Sequence, residues 1–182
     1  MFEHSTSAAD SPDDDCVSEA SEVVERVAQA TSIKHAAYDC PWLRHGYVMQ
    51  FREVEQAVLD EIPRCGHASL EGVRILDIGC GVGGWIRELI KWGADPGLIY
   101  GIDTIAERIE HARRLSPASV NLTCGNAACL AFPDEFFDLV MLFQSMCLMS
   151  DRMRQSVAAQ ALRVLKPDGA ILWYDYRYQR RG

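Results

Sequence analysis

The sequence has 182 residues, a formal net charge of −8 and a hydrophobic fraction of 48%. This length suits a single α/β domain, and the hydrophobic fraction is ordinary for a globular protein, which excludes a low-complexity chain. No apolar run approaches the roughly 18 residues that a membrane-spanning helix needs. The N-terminus has no basic stretch followed by an apolar one, so it does not resemble a secretory signal. We therefore expect a cytoplasmic protein with no membrane partner.

The net negative charge is concentrated at the N-terminus. Residues 1–25 carry eight acids and no Lys or Arg, whereas residues 26–182 carry eighteen acids and eighteen bases. The first part of the acidic stretch is rich in Ser, Asp and Ala, a composition typical of disorder. The remainder has no basic stripe with interleaved aromatic residues, which argues against a nucleic-acid partner. We expect a small-molecule partner instead.

The seven cysteines are odd in number and show no C-x-x-C spacing. Such a pattern is typical of reduced, mostly buried thiols. It predicts neither a metal site nor a disulfide framework.

Two segments ahead of residue 70 have helical periodicity. Apolar residues recur every three or four positions in 19–30 and again in 47–62. An aromatic-rich connector, 38–47, joins them. The pattern predicts two amphipathic helices before the main body of the chain.

A short apolar run then leads into a glycine-rich loop. Residues 73–78 are β-branched or aliphatic except for one base and one acid, and they predict a buried strand. Gly79, Gly81 and Gly83 let the main chain turn sharply and approach a ligand where a Cβ would intrude. The predicted helix over 84–92 directs its amide end to the same place. This arrangement predicts a site for a nucleoside-bearing cofactor.

The loop alone is compatible with two cofactors. Gly79, Gly81 and Gly84 satisfy the G-x-G-x-x-G pattern, in which a helix N-terminus holds a pyrophosphate. Asp77 argues against a cofactor with a pyrophosphate, because a carboxylate repels a pyrophosphate and suits an ammonium or sulfonium group. It indicates S-adenosylmethionine in preference to NAD. A glycine-rich turn that only lets strand and helix pack is the remaining alternative.

A second buried strand is predicted at 98–102 and ends at Asp103. A carboxylate at this position, some 20 to 25 residues after the glycine loop, is placed to accept two hydrogen bonds from a ribose diol. Asp103 or Thr104 could also cap the helix that follows. Both roles are compatible.

Three further segments follow in order: a strand and loop at 120–133, a strand at 136–142, and a helix, turn and strand over 163–172. With the glycine loop and Asp103, this order resembles class I S-adenosylmethionine-dependent methyltransferases. The resemblance implies an α/β fold of Rossmann-like type, an open parallel sheet with helices on both faces. We expect this sequence to lack strands 6 and 7 of that fold.

The resemblance implies S-adenosylmethionine as cofactor and S-adenosylhomocysteine as its product. Asn126 stands where the family commonly has an acid that accepts a hydrogen bond from the adenine amino group, and its amide oxygen can still accept that bond. Gln144 follows the fourth strand, where the family faces methionine and substrate. The predicted cofactor-binding residues are Asp77, Gly79, Cys80, Gly81, Gly83, Asp103, Thr104, Asn126, Ala127 and Gln144.

Composition, helical periodicity and the resemblance together predict how the chain is divided. Residues 1–18 form a disordered acidic tail, 19–70 a helical lid over the cofactor, and 71–182 the cofactor-binding core. The same helices can serve instead only to pack against the sheet. His35 and His45 lie in the lid and are candidate bases, but we assign no catalytic residue and no metal ligand.

The fold of the family normally has seven strands, the last two beside the fifth. Here only seven residues follow Asp175. Strand 5 is therefore expected to leave an open edge, which proteins seldom leave exposed. Either the sequence is a truncated piece, or a homo- or hetero-oligomeric partner or the C-terminal tail covers that edge.

A looser resemblance, over 46–55 and 170–178, links the chain to bacterial methyltransferases of sugars, polysaccharide ends and secondary metabolites. It favours methyl transfer to a small molecule, at an oxygen atom. Two alternatives stay open: a non-catalytic or truncated subunit that binds the cofactor and needs a partner, and an NAD-linked oxidoreductase.

Overall fold

The computed structural model describes residues 45–175. The strands are β1 Ile75–Ile78, β2 Ile99–Asp103, β3 Asn121–Cys124, β4 Phe137–Phe143 and β5 Leu165–Tyr174. The helices are α1 His45–Arg64, α2 Gly84–Lys91, α3 Ala106–Leu115 and α4 Asp151–Val164. All strand pairs are parallel, and the sheet has the order β3-β2-β1-β4-β5.

The sheet is covered on both faces because its central strands are apolar throughout. On one face Ile75 of β1 packs with Val58 of α1 and Leu89 of α2. On the other, Leu76 packs with Val157 of α4. This confirms the predicted Rossmann-like architecture, an open parallel sheet with helices on both faces. Five strands are present within the described residues.

Strand order reverses at β1. From β1 the chain moves outward through β2 to β3, and then returns to the opposite side of β1 as β4 and β5. The connections that leave β1 and β4 diverge, so a crevice opens at the carboxyl ends of these two strands. The glycine loop, 79–83, follows β1 directly and lies at this crevice.

β5 differs from the expectation at its start. Instead of a separate turn between helix and strand, β5 begins directly after α4 and contains a bulge. Phe137 of β4 pairs with Leu165, and Leu139 already pairs with Ala170. Pro167 has no N–H to donate to a ladder, which suits a residue looped out of the pairing.

Several predictions fall outside the described residues: the acidic tail 1–18, the helix 19–30, most of the connector 38–47, and His35. The helix predicted at 47–62 is present as α1. Cys129 is disulfide-bonded, so the expectation of uniformly reduced thiols is wrong at that position. Within residues 45–175 no helix is both long and apolar enough to cross a bilayer, and no cluster of potential metal ligands occurs.

An aromatic row attaches α1 to the sheet. Phe51 stacks on Trp85 of α2, with ring centroids 5.0 Å apart, and Trp85 meets Phe143 of β4 edge to face, also at 5.0 Å. Phe143 in turn contacts Tyr174 of β5. The Tyr174 hydroxyl accepts a hydrogen bond from Gln50 Nε2 at 3.1 Å. The row thus fixes α1 beside the helix that begins at the glycine loop.

Trp85 and Trp173 are predicted to differ sharply when replaced by alanine. Trp85→Ala removes the ring between Phe51 and Phe143 and should lower the free energy of unfolding by roughly 3 kcal/mol. Trp173 is 67% exposed, so Trp173→Ala should cost less than about 0.5 kcal/mol. Urea unfolding followed by circular dichroism measures both. Equal losses would contradict the role given to the row.

Candidate cofactor site

The glycine loop is held against the end of β2 by three backbone amides. Gly79 N and Cys80 N both donate to the Ile102 carbonyl, at 2.8 and 3.1 Å. Gly81 N donates to Asp103 Oδ2 at 3.0 Å. Because these bonds join the loop after β1 to the tip of β2, the two strands present one continuous rim to the crevice.

Asp103 holds this rim with both of its oxygens. Oδ2 accepts from Gly81, and Oδ1 accepts from the amide of Ile105 at 2.9 Å. Ile105 is the residue before the first turn of α3, and no side chain caps that helix. Asp103 therefore fixes the backbone that leads into α3, although it is not the N-cap residue of this helix. A carboxylate offers about four lone-pair sites, so two internal bonds leave capacity for further donors.

An open cleft lies at the carboxyl ends of β1, β2, β3 and β4. It is open to solvent at its mouth. Gly79 and Asp103 form one wall, Gly125 and Ala127 follow β3, and Met153 of α4 closes the apolar floor. Polar groups above an apolar floor suit a nucleoside, whose base is flat and apolar and whose sugar carries hydroxyls.

The predicted cofactor residues divide into two groups. Those that line the cleft are Gly79, Asp103, Thr104, Ala127 and Gln144. The others are adjacent in sequence to lining residues or belong to the loop behind them: Asp77, Cys80, Gly81, Gly83 and Asn126. Their assignment as cofactor contacts remains a prediction.

Most backbone amides of the glycine loop donate hydrogen bonds to acceptors within the protein. Besides the three bonds to β2, Gly83 N donates to the Cys80 carbonyl at 2.9 Å. Gly81 and Gly83 have φ angles of 55° and 74°, a conformation that favours glycine. These residues contribute a close backbone approach, and they do not supply a row of amide donors for a phosphate. That distinction favours S-adenosylmethionine over a dinucleotide.

The thiol of Cys80 packs inside the loop. It is 7% exposed, and burial, with smaller contributions from Asp77 and Asp103, raises its pKa far above the usual range. A thiol that keeps its proton is a poor nucleophile. Burial therefore favours a packing role for Cys80 over a nucleophilic one.

Asn126 forms a local turn at the edge of the cleft. Its Oδ1 accepts from Ala128 N at 2.9 Å, an arrangement typical of Asx turns. The turn fixes Gly125 and Ala127, which line the cleft on either side. An amide oxygen has two lone pairs, so the predicted bond from an adenine amino group is compatible with this turn.

Gln144 is strained. It lies just after β4 with φ at 54°, where a residue other than glycine is uncommon. The backbone N–H of Gln144 donates to the Tyr174 carbonyl at 2.7 Å, and this bond fixes the backbone conformation of Gln144. Strain of this kind costs on the order of 1–3 kcal/mol and concentrates at functional sites.

Sequence reasoning missed Ser145. This residue lines the cleft and is 8% exposed. Its Oγ is buried and has no hydrogen-bond partner among the described residues. A serine after an apolar strand carries no recognisable pattern, and only the fold reveals that its hydroxyl is buried. Arg108 and Leu148 also line the cleft. They were missed as well, because only the tertiary fold brings them to it.

Asp77 also carries a buried oxygen without a hydrogen-bond partner among the described residues. It is 2% exposed, and Oδ2 is buried without a hydrogen bond among the described residues. Burial, and secondarily the charge of Asp103, raises its pKa to about 7. A buried carboxylate that lacks a cation in the protein fits a ligand that brings one. The ammonium and sulfonium groups of S-adenosylmethionine meet that requirement.

The fold and this cleft define a Rossmann-like protein with a nucleoside-cofactor site. Residues 75–169 match the family described as methyltransferase domain. The chain belongs to that family, the class I S-adenosylmethionine-dependent methyltransferases, as the resemblance predicted. Membership confirms S-adenosylmethionine as the cofactor in place of NAD.

Individual relatives agree on the domain and differ in what they modify. The nocamycin O-methyltransferase of Saccharothrix syringae is 35% identical over 66% of this chain and 42% of its own length. The tRNA N(3)-cytidine methyltransferase of Gallus gallus is 31% identical over 57% of this chain and 30% of its own. The chain thus spans less than half the length of these curated relatives.

A solved structure supports the fold. The crystal structure of a protein from Pyrococcus horikoshii OT3 has a TM-score of 0.62 and 26% sequence identity, and the match covers 74% of this chain and 57% of that one.

The buried carboxyl of Asp77 predicts a distinctive pH dependence of stability. With a native pKa of about 7 against an ordinary value of 3.8, the native state keeps this proton between pH 4 and 7 while the unfolded chain loses it. The native state then binds more protons, so stability falls as pH rises through this window and levels off above pH 7. Asp77→Asn, which cannot ionise, should remove this component.

Urea unfolding of the ligand-free protein at pH 5 and pH 8 measures the effect. At pH 8 Asp77→Asn should be more stable than wild type by about 2–4 kcal/mol, with a clearly smaller gain at pH 5. The exposed Asp168→Asn serves as control and should show the same small difference at both values. An identical gain for Asp77→Asn at the two pH values would contradict the burial argument.

Proposed function

We propose that the protein transfers a methyl group from S-adenosylmethionine to an oxygen atom of a small molecule. The observation that carries this proposal is the cleft itself, whose rim is formed by Asp103, while Asp77 lies buried in β1 next to the lining residue Ile78. When bound, the cofactor supplies a methyl group already activated by its sulfonium. The acceptors considered are a sugar, a polysaccharide end or a secondary metabolite.

Asp103 has the ribose-binding role in this proposal. Its carboxylate is oriented by Gly81 and Ile105 before any ligand binds. Preorganised acceptors bind a diol without a further ordering cost. Thr104, next to it in the cleft, adds a hydroxyl on the same rim.

The remaining requirement for transfer is alignment. Methyl transfer is an in-line displacement, so the protein contributes proximity and exclusion of water more than acid–base chemistry. Strained Gln144 lies at the carboxyl end of β4, beside the crevice where an acceptor can approach. We assign it to the methionine and acceptor side of the site. His45 remains a candidate base by sequence alone.

Support for a small acceptor comes from charge and from one relative. Residues 45–175 carry seventeen acids and twelve Lys and Arg, a balance that does not attract a polyanion. The Saccharothrix relative is named as a nocamycin O-methyltransferase, which supports transfer to oxygen. The chicken relative is named for tRNA, so tRNA is the acceptor against which the proposal is tested.

Three other predictions remain proposals. The helical lid 19–70 includes α1, which the aromatic row fixes beside α2. The edge of β5 pairs with no strand other than β4 among the described residues, so a homo- or hetero-oligomeric partner there stays a prediction. A cytoplasmic location also stays a prediction.

Asp103→Ala should weaken binding of S-adenosylhomocysteine at least tenfold, because charge-assisted hydrogen bonds contribute about 1.5–3 kcal/mol. Asp95→Ala is the matched control. Asp95 also accepts from the amide two residues on, at 2.8 Å from Gly97 N, but it lies outside the cleft. Calorimetry should show unchanged affinity in this control and no binding of NAD by wild type.

The same variants test turnover with methyl-labelled S-adenosylmethionine. Wild type and Asp95→Ala should label a small-molecule extract, Asp103→Ala should label it far less, and purified tRNA should remain unlabelled in all cases. Label confined to tRNA would overturn the acceptor class. Equal cofactor affinity in wild type and Asp103→Ala would remove Asp103 from the site.

A further inference from the structure

A second concave surface lies between α1 and β5, on the face of the sheet opposite α4. It shares no lining residue with the cofactor cleft. We name it the α1–β5 groove and define it by six of the residues that line it: Glu53, Val54, Val58, Glu61, Leu172 and Tyr174. Among the described residues β5 pairs with β4 alone, so the groove lies at the open side of the sheet.

The groove combines an apolar floor with an acidic rim. Val58 and Leu172 are buried in the core, whereas Glu53 and Glu61 are exposed. Glu61 pairs with Arg64 at 2.6 Å, and no cation pairs with Glu53 among the described residues. Aromatic or aliphatic side chains suit the floor, and positively charged groups suit the rim. The groove therefore fits a segment that is both basic and aromatic.

Charge limits which part of the chain can meet that requirement. Residues 1–25 carry eight acids and no Lys or Arg, so the acidic rim repels them. The same groove on a second copy carries the same two acids, which disfavours groove-to-groove pairing. Residues 176–182, in contrast, contain three Arg, two Tyr and no acid. We propose that this last segment binds in the α1–β5 groove of its own chain.

The spacing of the charges supports this pairing. In α1 eight positions separate Glu53 from Glu61, a rise of about 12 Å. In an extended segment alternate side chains share a side, so Arg177 and Arg181 lie on one side, about 13 Å apart. In this arrangement Arg177 meets Glu53 while Arg181 meets Glu61. Tyr178 lies on the opposite side of the segment, toward β5.

The end of β5 brings the segment to the groove. The Tyr174 hydroxyl accepts from Gln50 Nε2 at 3.1 Å, at a point one helical turn before Glu53. Asp175 Oδ2 accepts from Cys147 N at 2.8 Å, so the backbone is held where it leaves the strand. A segment that turns back after Asp175 then follows α1 in the direction of the helix and reaches Glu53 first. Because segment and groove belong to one chain, a high effective concentration favours their contact.

Thermal unfolding of the full chain at low ionic strength tests the ion pair nearest the end of β5. Glu53→Arg and Arg177→Glu should each lower the unfolding midpoint by about 2–4 °C, because each change places like charges together. The double variant restores an opposite pair and should lie closer to wild type than either single variant. Arg180→Glu is the matched control, since residue 180 falls on the side of the segment away from α1. It should shift the midpoint by less than about 1 °C and should not rescue Glu53→Arg.

Cross-linking locates the segment directly. A carbodiimide joins an amine to a carboxylate in contact with it. In Arg177→Lys it should couple residue 177 to Glu53 within a monomer, as peptide mass spectrometry can identify. Affinity for S-adenosylhomocysteine should stay at the wild-type value in every variant, because the groove and the cleft share no lining residue.

Four results would overturn the inference. Additive losses in the double variant would show that residues 53 and 177 do not interact. Coupling of residue 177 only to acids outside the groove, or no coupling at all, would place the segment elsewhere. Coupling confined to covalent dimers would make a second copy the occupant, and weaker cofactor binding in Arg177→Glu would place the segment at the cleft. The proposed function fails separately, if wild type does not bind S-adenosylhomocysteine.

Discussion

The site depends on the hydrogen bonds that hold the glycine loop against the end of β2. The Ile102 carbonyl accepts from two loop amides, and Asp103 accepts from a third. Without these bonds the loop after β1 could take many conformations, because glycine restricts the backbone least. With them, the loop, the carboxylate and the approach to α3 form one preorganised rim. Asp103 therefore supports the structure of the site and remains available to a ligand.

Stability and function compete at the two central strands. The sheet gains its stability from apolar residues that cover both faces, yet β1 contains buried Asp77 between Leu76 and Ile78, and β4 is followed by strained Gln144 and buried Ser145. Each of these residues makes the ligand-free protein less stable. A cofactor that brings a cation and hydrogen-bonding groups would compensate for that loss. Binding and folding are then thermodynamically linked.

Much of the fold is readable from the sequence because its signals are local. Alternating strands and helices, the glycine loop and Asp103 lie within short windows, and their order alone predicts a parallel sheet with a crevice at its carboxyl edge. Amphipathic spacing over 47–62 also predicts α1. The bulge at the start of β5 was missed, since it depends on pairing with Asp138 and its neighbours in β4.

Ser145 was missed for a related reason: its burial follows from contact with Gly79, sixty-six residues earlier in the chain. The internal use of the loop amides was likewise invisible, because it depends on Ile102 in the neighbouring strand. Sequence patterns thus locate the cofactor loop, whereas the individual atoms that bind a ligand are set by tertiary contacts.

Amide chemical-shift mapping with S-adenosylhomocysteine tests the central claim most directly, namely that the cofactor binds at the carboxyl ends of β1 to β4. Saturable shifts are expected at Gly79, Asp103 and Gly125, together with Ser145. The amides of Val58 in α1 and Trp173 in β5 should not change. Saturable shifts confined to those two amides, with the glycine loop unchanged, would contradict the account.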